Sequence, residues 1–320
     1  MAHGRELWRT DGTAAGTRLV HDVAPEGLSS HPRSLTASGG RLYFTADDGL
    51  TGQELWSLPL SGPGSCQPSF NTLCLSGGRF RVEALWRDFQ GNQGVGHAVP
   101  LTGDTGTFWF FDPSNVEVLL KVLDGRGLND HFWVFFGALS SVEYSLTVTD
   151  TQTGFSRRYS NPSGQLASAG DTEGFGPRGA HSADPDIFTA PPSPAALISA
   201  RTEPAAATGS CQPGPRRLCL NNGRFAVEAS WQDFFGNVGH GTAVPFTADT
   251  GWFWFFDPAN VEVMLKVLDA TDLNGEFWVF YGALSNVEYN LTVTDTQTGA
   301  VKEYRNPSGR FASVADTEAF

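Results

Sequence analysis

Residues 66 to 175 and 211 to 320 are two copies of one sequence, aligned without a gap at an offset of 145 and identical at roughly two-thirds of positions. Cys66 and Cys74 fall on Cys211 and Cys219. The run Phe108-Trp109-Phe110-Phe111-Asp112-Pro113 falls on Phe253-Trp254-Phe255-Phe256-Asp257-Pro258. A repeat of this fidelity means one fold made twice, because the same side-chain pattern asks for the same packing. It also filters sites, since chemistry that belongs to the module should be present in both copies.

Within the copy the hydrophobic pattern has the period of a strand. Phe80, Val82, Ala84 and Trp86 share one face, with Arg81, Glu83 and Arg87 on the other. Val116, Val118, Leu120 and Val122 alternate with outward Glu117 and Lys121, which the pattern reads as a solvent-facing ion pair, as it does Glu262 and Lys266. Phe132 to Gly137 and Val142 to Thr149 continue the series, and Asp150-Thr151-Gln152-Thr153-Gly154 is a hairpin turn into Ser156 to Ser160. Seven or eight short strands in about 110 residues predict an all-β fold, an antiparallel β-sandwich of immunoglobulin-like kind. The expected organisation is a blade-like segment at 1–62, one sandwich at 63–175, a Pro/Ala/Ser-rich flexible linker at 176–210 and a second sandwich at 211–320. In the linker, Pro191-Pro192-Ser193-Pro194 favours extended chain, and Ala195 to Ala200 has the composition for a turn of helix.

The first 62 residues carry a different repeat. Gly4-Arg5-Glu6-Leu7-Trp8 recurs as Gly52-Gln53-Glu54-Leu55-Trp56, with candidate strands at Thr17 to Val23, Ser34 to Ala37 and Arg41 to Ala46 between them. Four strands in such a period follow the grammar of a β-propeller blade. Glu6-Leu7-Trp8-Arg9-Thr10-Asp11-Gly12-Thr13 resembles the ELWxxDGT repeat of large bacterial surface proteins, which implies a propeller-like array. In the second copy Ser57-Leu58-Pro59-Leu60 replaces the Asp-Gly-Thr turn, as expected of the last, truncated unit of an array. The duplicated module is similar to an uncharacterised C-terminal module of such secreted bacterial proteins, a resemblance that supplies no activity.

Two identical Cys-x7-Cys pairs predict one local disulfide per module, Cys66 with Cys74 and Cys211 with Cys219. A zinc site would bring closer pairs or matched histidines. Disulfides point to an oxidising compartment, so the expectation is a secreted or cell-surface protein whose export signal lies upstream of this chain. Net charge is −13, and each module is acidic, with 7 basic against 11 acidic residues in the first and 7 against 13 in the second. Neither offers the basic face that phosphate contacts require, which argues against nucleic acid. No apolar run is long enough for a membrane-crossing helix, so membrane insertion is not expected.

The aromatic runs are the sharpest candidates. In a strand, Phe108 and Phe110 face opposite to Trp109 and Phe111, and both faces cannot enter one core. Trp109, Trp133, Trp254 and Trp278 are therefore the candidate ligand-binding residues, a platform for sugar rings or a protein partner. The alternative is that the second face is covered by a loop, by the blade or by the sister module. Trp252 in place of Thr107 makes the two copies unequal here.

Carboxylates recur at Asp104, Asp112, Asp124, Asp150 and Asp171 and at their counterparts Asp249, Asp257, Asp269, Asp295 and Asp316. Several sit beside Gly, Asn or Pro in turns, where Asp bonds its own backbone. Ca²⁺ is the only cofactor such oxygens suggest, and no stretch forms a compact calcium loop. No histidine holds the same position in both copies: His97 aligns with Thr242, His131 with Glu276 and His240 with Val95. A repeated His-dependent catalytic or metal site is thereby excluded. The sequence reads as non-catalytic binding modules for glycan or protein, with structural spacer modules as the alternative and a polysaccharide hydrolase as a distant third.

Overall fold

The structure, a computed structural model, describes residues 4–9, 18–21, 23–24, 27–38, 41–59, 65–176, 186–189, 197–202 and 210–320. It divides into two compact units, residues 1–65 and 66–320. Nearly every element is a strand, so the all-β expectation holds.

In the first unit Leu7–Arg9 pairs antiparallel with Arg18–His21. Arg33–Ser38, Arg41–Asp47 and Gln53–Pro59 form a consecutive three-stranded sheet, close to the strands expected from sequence. Glu6 of the Glu-Leu-Trp motif is buried. Its carboxylate accepts hydrogen bonds from the backbone N–H of Val23 and Ser30 and from the Ser30 hydroxyl. This motif glutamate is a structural tie, and a buried charge needs such donors. The Asp11-Gly12-Thr13 turn lies outside the described residues.

In the second unit each module is a sandwich of two antiparallel sheets. The outer sheet of the first module orders Leu73–Leu75, Phe80–Arg87, Glu143–Asp150 and Ser156–Asn161, with Gln93–Val95 also on Phe80–Arg87. Its inner sheet orders His97–Pro100, Thr105–Trp109, Val118–Asp124, Phe132–Ala138 and Ser168–Phe175. The second module repeats both sheets. The core between them takes the predicted inward residues, among them Phe80, Val82, Val118, Leu120 and Val122. The strand order departs from the immunoglobulin one. There the order A-B-E-D sets the later returning strand beside B, whereas here the earlier, Glu143–Asp150, pairs with Phe80–Arg87 and hands on to Ser156–Asn161 through a tight turn. In that turn Gly154 has φ of 78° and the Asp150 carboxylate accepts from the N–H of Gln152.

Both disulfides form as expected, with Cα–Cα distances of 5.6 Å. The stretch read as a flexible linker contributes two edge strands. Asp186–Thr189 pairs parallel with Ser156–Asn161 of the first module, and Leu197–Thr202 pairs antiparallel with Ala300–Asn306 of the second. The helical turn considered for Ala195 to Ala200 is corrected over residues 197–200, because free edges of both outer sheets offer the backbone a ladder. Pro191 to Pro194 lies outside the described residues.

Candidate functional site

The inner sheets are buried on both faces, and the second face is where the two modules meet. Val116, Leu119, Phe135 and Leu139 form one apolar cluster with Val261, Met264, Phe280 and Leu284, the same four positions of the other copy, and Trp252 completes it. Gly137 and Gly282 meet backbone to backbone: a Cβ on either would lie 3.0 Å from the carbonyl carbon of the other. Ser168 bonds Ser313, its own counterpart, through the hydroxyls. Contacts that map onto themselves when the copies are exchanged define an approximate two-fold axis, an isologous interface inside one chain.

Glu117 and Lys121 are the clearest correction to the sequence reading. They do not form a solvated pair; both are buried, with their counterparts Glu262 and Lys266. Lys121 Nζ donates to Asn260 Oδ1 at 2.6 Å and to the Val261 carbonyl at 3.0 Å. Asn260 in turn donates to Glu262. The mirror chain runs from Lys266 to Asn115 and Val116, and from Asn115 to Glu117. Glu117 also accepts from the N–H of Phe110. Burial holds the Lys121 ammonium below the usual lysine range and raises the Glu262 carboxyl. Burial likewise takes Glu117 up to about 7 and Lys266 down to about 8, each opposed by the other's charge. Alternation shows which face a residue takes but not what covers that face.

The four candidate tryptophans do not gather into one platform. Trp133, Trp254 and Trp278 are half-buried around the rim of the inter-module cluster. Trp133 and Trp278 spend their indole N–H on Asn129 and Asn274. Trp109 lies 4.0 Å from the His97 ring and meets Phe70 edge-on at 5.8 Å. The matched aspartates serve turns and ion pairs: Asp112 accepts from Ser114, Asp150 pairs with Arg79 at 2.7 Å, and Asp171 takes the Tyr159 hydroxyl and Arg157.

The open aromatic surface lies elsewhere, at the Trp86 end of the first module and the Trp231 end of the second. Trp86 keeps the core-side parity assigned from sequence, but it ends its strand where the sandwich opens. Its ring lies flat over Gly94, where an added Cβ would come within 2.4 Å, and stacks on Phe110 at 6.3 Å. Phe111, half exposed, packs against it at 4.7 Å. Trp231 repeats this over Gly239, with Phe255 and Phe256. The next residues make a turn, Asp88-Phe89-Gln90-Gly91-Asn92 and Asp233-Phe234-Phe235-Gly236-Asn237. The Asp88 carboxylate accepts from the N–H of Gln90 and Asn92 and from the Asn92 amide. That amide bond holds the Asp88 carboxyl below its ordinary range. Gly91, at φ of 90°, supplies the left-handed residue that closes the turn. The turn holds Phe89 64 % exposed, and its twin holds Phe234 60 % and Phe235 92 % exposed.

Beside each aromatic end runs a groove of about 450 Å³ across the outer sheet. Trp86, Glu143 and Tyr144 line the first, and their counterparts Trp231, Glu288 and Tyr289 the second. Around that common frame the grooves differ. Arg87 and Arg158 border the first, while in the second Arg305 is held by Glu288 at 2.8 Å. The sequence did carry a signal for this site: a phenylalanine at the same place in a polar Asp-Phe-x-Gly-Asn turn in both copies. Compared with known proteins, the chain matches no family model, no curated protein and no solved structure.

Proposed function

We propose that residues 66–320 are a non-catalytic recognition unit of a secreted or surface-attached protein, gripping a glycan or protein surface at the two aromatic-edged grooves. The observation that carries this reading is the twin turn that keeps Phe89, Phe234 and Phe235 in water. Each turn is closed by its own aspartate, so folding does not need the phenyl rings there, and exposed aromatics beside a groove mark binding surfaces. Two such sites on one rigid unit would add avidity toward a repeating target. Each groove holds a single carboxylate, Glu143 or Glu288, where glycoside cleavage uses two. The disulfides favour an oxidising compartment, and the recurrence of Glu-Leu-Trp at 6–8 and 54–56 is the ground for reading the N-terminal unit as propeller-type.

A glycan-array and pull-down screen of the full chain tests this. Binding that is lost in Phe89→Ala combined with Phe235→Ala, and kept in Trp133→Phe, supports the grooves. Equal binding by all variants sinks the assignment. The second reading, a structural assembly unit, is favoured by the burial of the other aromatic face between the modules. An intact, folded chain that binds nothing in either screen would leave that role in its place.

A further inference from the structure

The inter-module face is complete within each copy. Every module brings the lysine, the asparagine that receives its partner's lysine, the glutamate behind that asparagine, and the glycine and serine that lie near the axis. Such a face can pair with any other copy of itself. Among residues of the apolar contact that differ between copies, Leu119/Met264, Leu101/Phe246 and Leu166/Phe311 conserve apolar character, and the one large change is Thr107 against Trp252. At that position, inside the rim of half-buried tryptophans, a single indole fills the contact between unlike modules. A pair of first modules would have none, and a pair of second modules would have two to place, so a cavity or overpacking opposes like pairing.

Geometry explains why the pairing closes within one chain. Lys121 meets Val261 while Lys266 meets Val116, so the facing strands run in opposite directions across the axis. Gly137 sits near that axis, and Phe132 lies five residues away on the same strand. At about 3.3 Å per residue, Phe132 and Phe277 are therefore displaced about 16 Å to opposite sides. Phe175, where the first module ends, pairs with Phe132. Cys211, where the second begins, donates its N–H to the carbonyl of Gly223, two residues before Phe225, whose ring lies tilted against Phe277 at 5.0 Å. The connection must thus bridge about 30 Å, and it needs length to do so.

We infer that this face is a self-recognition surface whose alternative partner is a second copy of this chain, the first module of one chain taking the second module of another whenever the connecting segment cannot close the pair in cis. The contacts exchanged are those seen within the chain, so no new interface is required.

Replacing residues 177–209 by two glycines leaves a connection that reaches at most about 17 Å. The expected result by sedimentation is a dimer or larger assembly at micromolar concentration, with the emission of the interface tryptophans unchanged. A monomer, whether its tryptophans are exposed or still buried, overturns the inference. Because the shortened chain also loses two edge strands and could fail to fold, the unaltered protein supplies a second measurement. Chains carrying donor or acceptor dyes, unfolded and refolded together at about 1 mM, the order of effective concentration that a covalent connection gives, should show energy transfer between chains. Refolded at about 1 μM they should show none. Absence of transfer at the higher concentration counts against exchange.

Discussion

The ammonium of Lys121 lies 2.6 Å from the side-chain oxygen of Asn260, 139 residues away, and Lys266 repeats the contact with Asn115 at the same distance. With the Ser168–Ser313 hydroxyl bond, these polar contacts fix the register of two largely apolar faces. Removing one member of a buried charged network costs about 3–5 kcal/mol, because the groups left behind have lost both water and partner. Lys121→Ala, which strands Asn260 and Glu262, should lower the stability of residues 66–320 by that order in urea denaturation. Lys121→Met, which refills the volume without a charge, should cost less. Equal losses would mean that the charge and its hydrogen bonds, not packing, are what Lys121 supplies.

The same network makes stability depend on pH. Burial raises Glu117 to about 7 in the folded chain, above its ordinary 4.5. Between those values the native state holds a proton that the unfolded chain has released. Its stabilising effect is complete below 4.5 and is lost as pH rises through 7. Lys266 is lowered to about 8 from 10.5, so its contribution is complete above 10.5 and is lost as pH falls through 8. The two effects together place a minimum in this contribution between pH 7 and 8. The urea midpoint should fall from pH 5 to 7. Glu117→Gln should flatten that slope while lowering stability at pH 5, since an amide has one oxygen for the two donors, Phe110 N–H and Asn115. An unchanged slope in the variant assigns the pH dependence to other groups.

Fold class, disulfides and the inward residues of most strands were legible because each depends on local periodicity or on the cysteine spacing. The role of Lys121 was not. Outward parity on Val118–Asp124 is the same whether water or a sister module covers the face, and only the three-dimensional pairing distinguishes them. Trp86 misled for the opposite reason: its parity is right, but its strand ends where the sandwich opens. The strand order is equally silent in the sequence, since alternation does not say which neighbour a strand takes. The strands at 186–189 and 197–202 were hidden by composition, because Pro- and Ala-rich chain reads as coil until a sheet edge is there to pair with it.

Gly137 and Gly282 set how closely the modules approach. A methyl group on Gly137 would stand 3.0–3.1 Å from backbone atoms of Gly282 and Ala283, and backbone cannot rotate away as a side chain can. Gly137→Ala should therefore part the interface, at a cost of about 1–3 kcal/mol from overpacking. The readouts are a larger radius of gyration and Trp252, now buried, becoming accessible to acrylamide. Gly103→Ala, with nothing within 4 Å of the added atom, is the control and should leave both unchanged.

The exposed phenylalanines give the reverse pattern. Phe235 is 92 % exposed, and the turn beneath it is held by Asp233, which accepts from Phe235 N–H, Asn237 N–H and the Asn237 amide. Phe235→Ser keeps all three bonds, so thermal stability should move by no more than about 0.5 kcal/mol. Asp233→Ala, which frees the turn, should loosen the loop that carries Phe234 and Phe235. If the rings are the binding surface, Phe235→Ser should weaken any partner found for the second groove with a stability curve that overlays the parent's. Asp233→Ala should weaken it too, although both rings remain, because a mobile loop must be ordered on binding. Full affinity in Asp233→Ala would show that the rigid presentation of the rings is not what the partner reads.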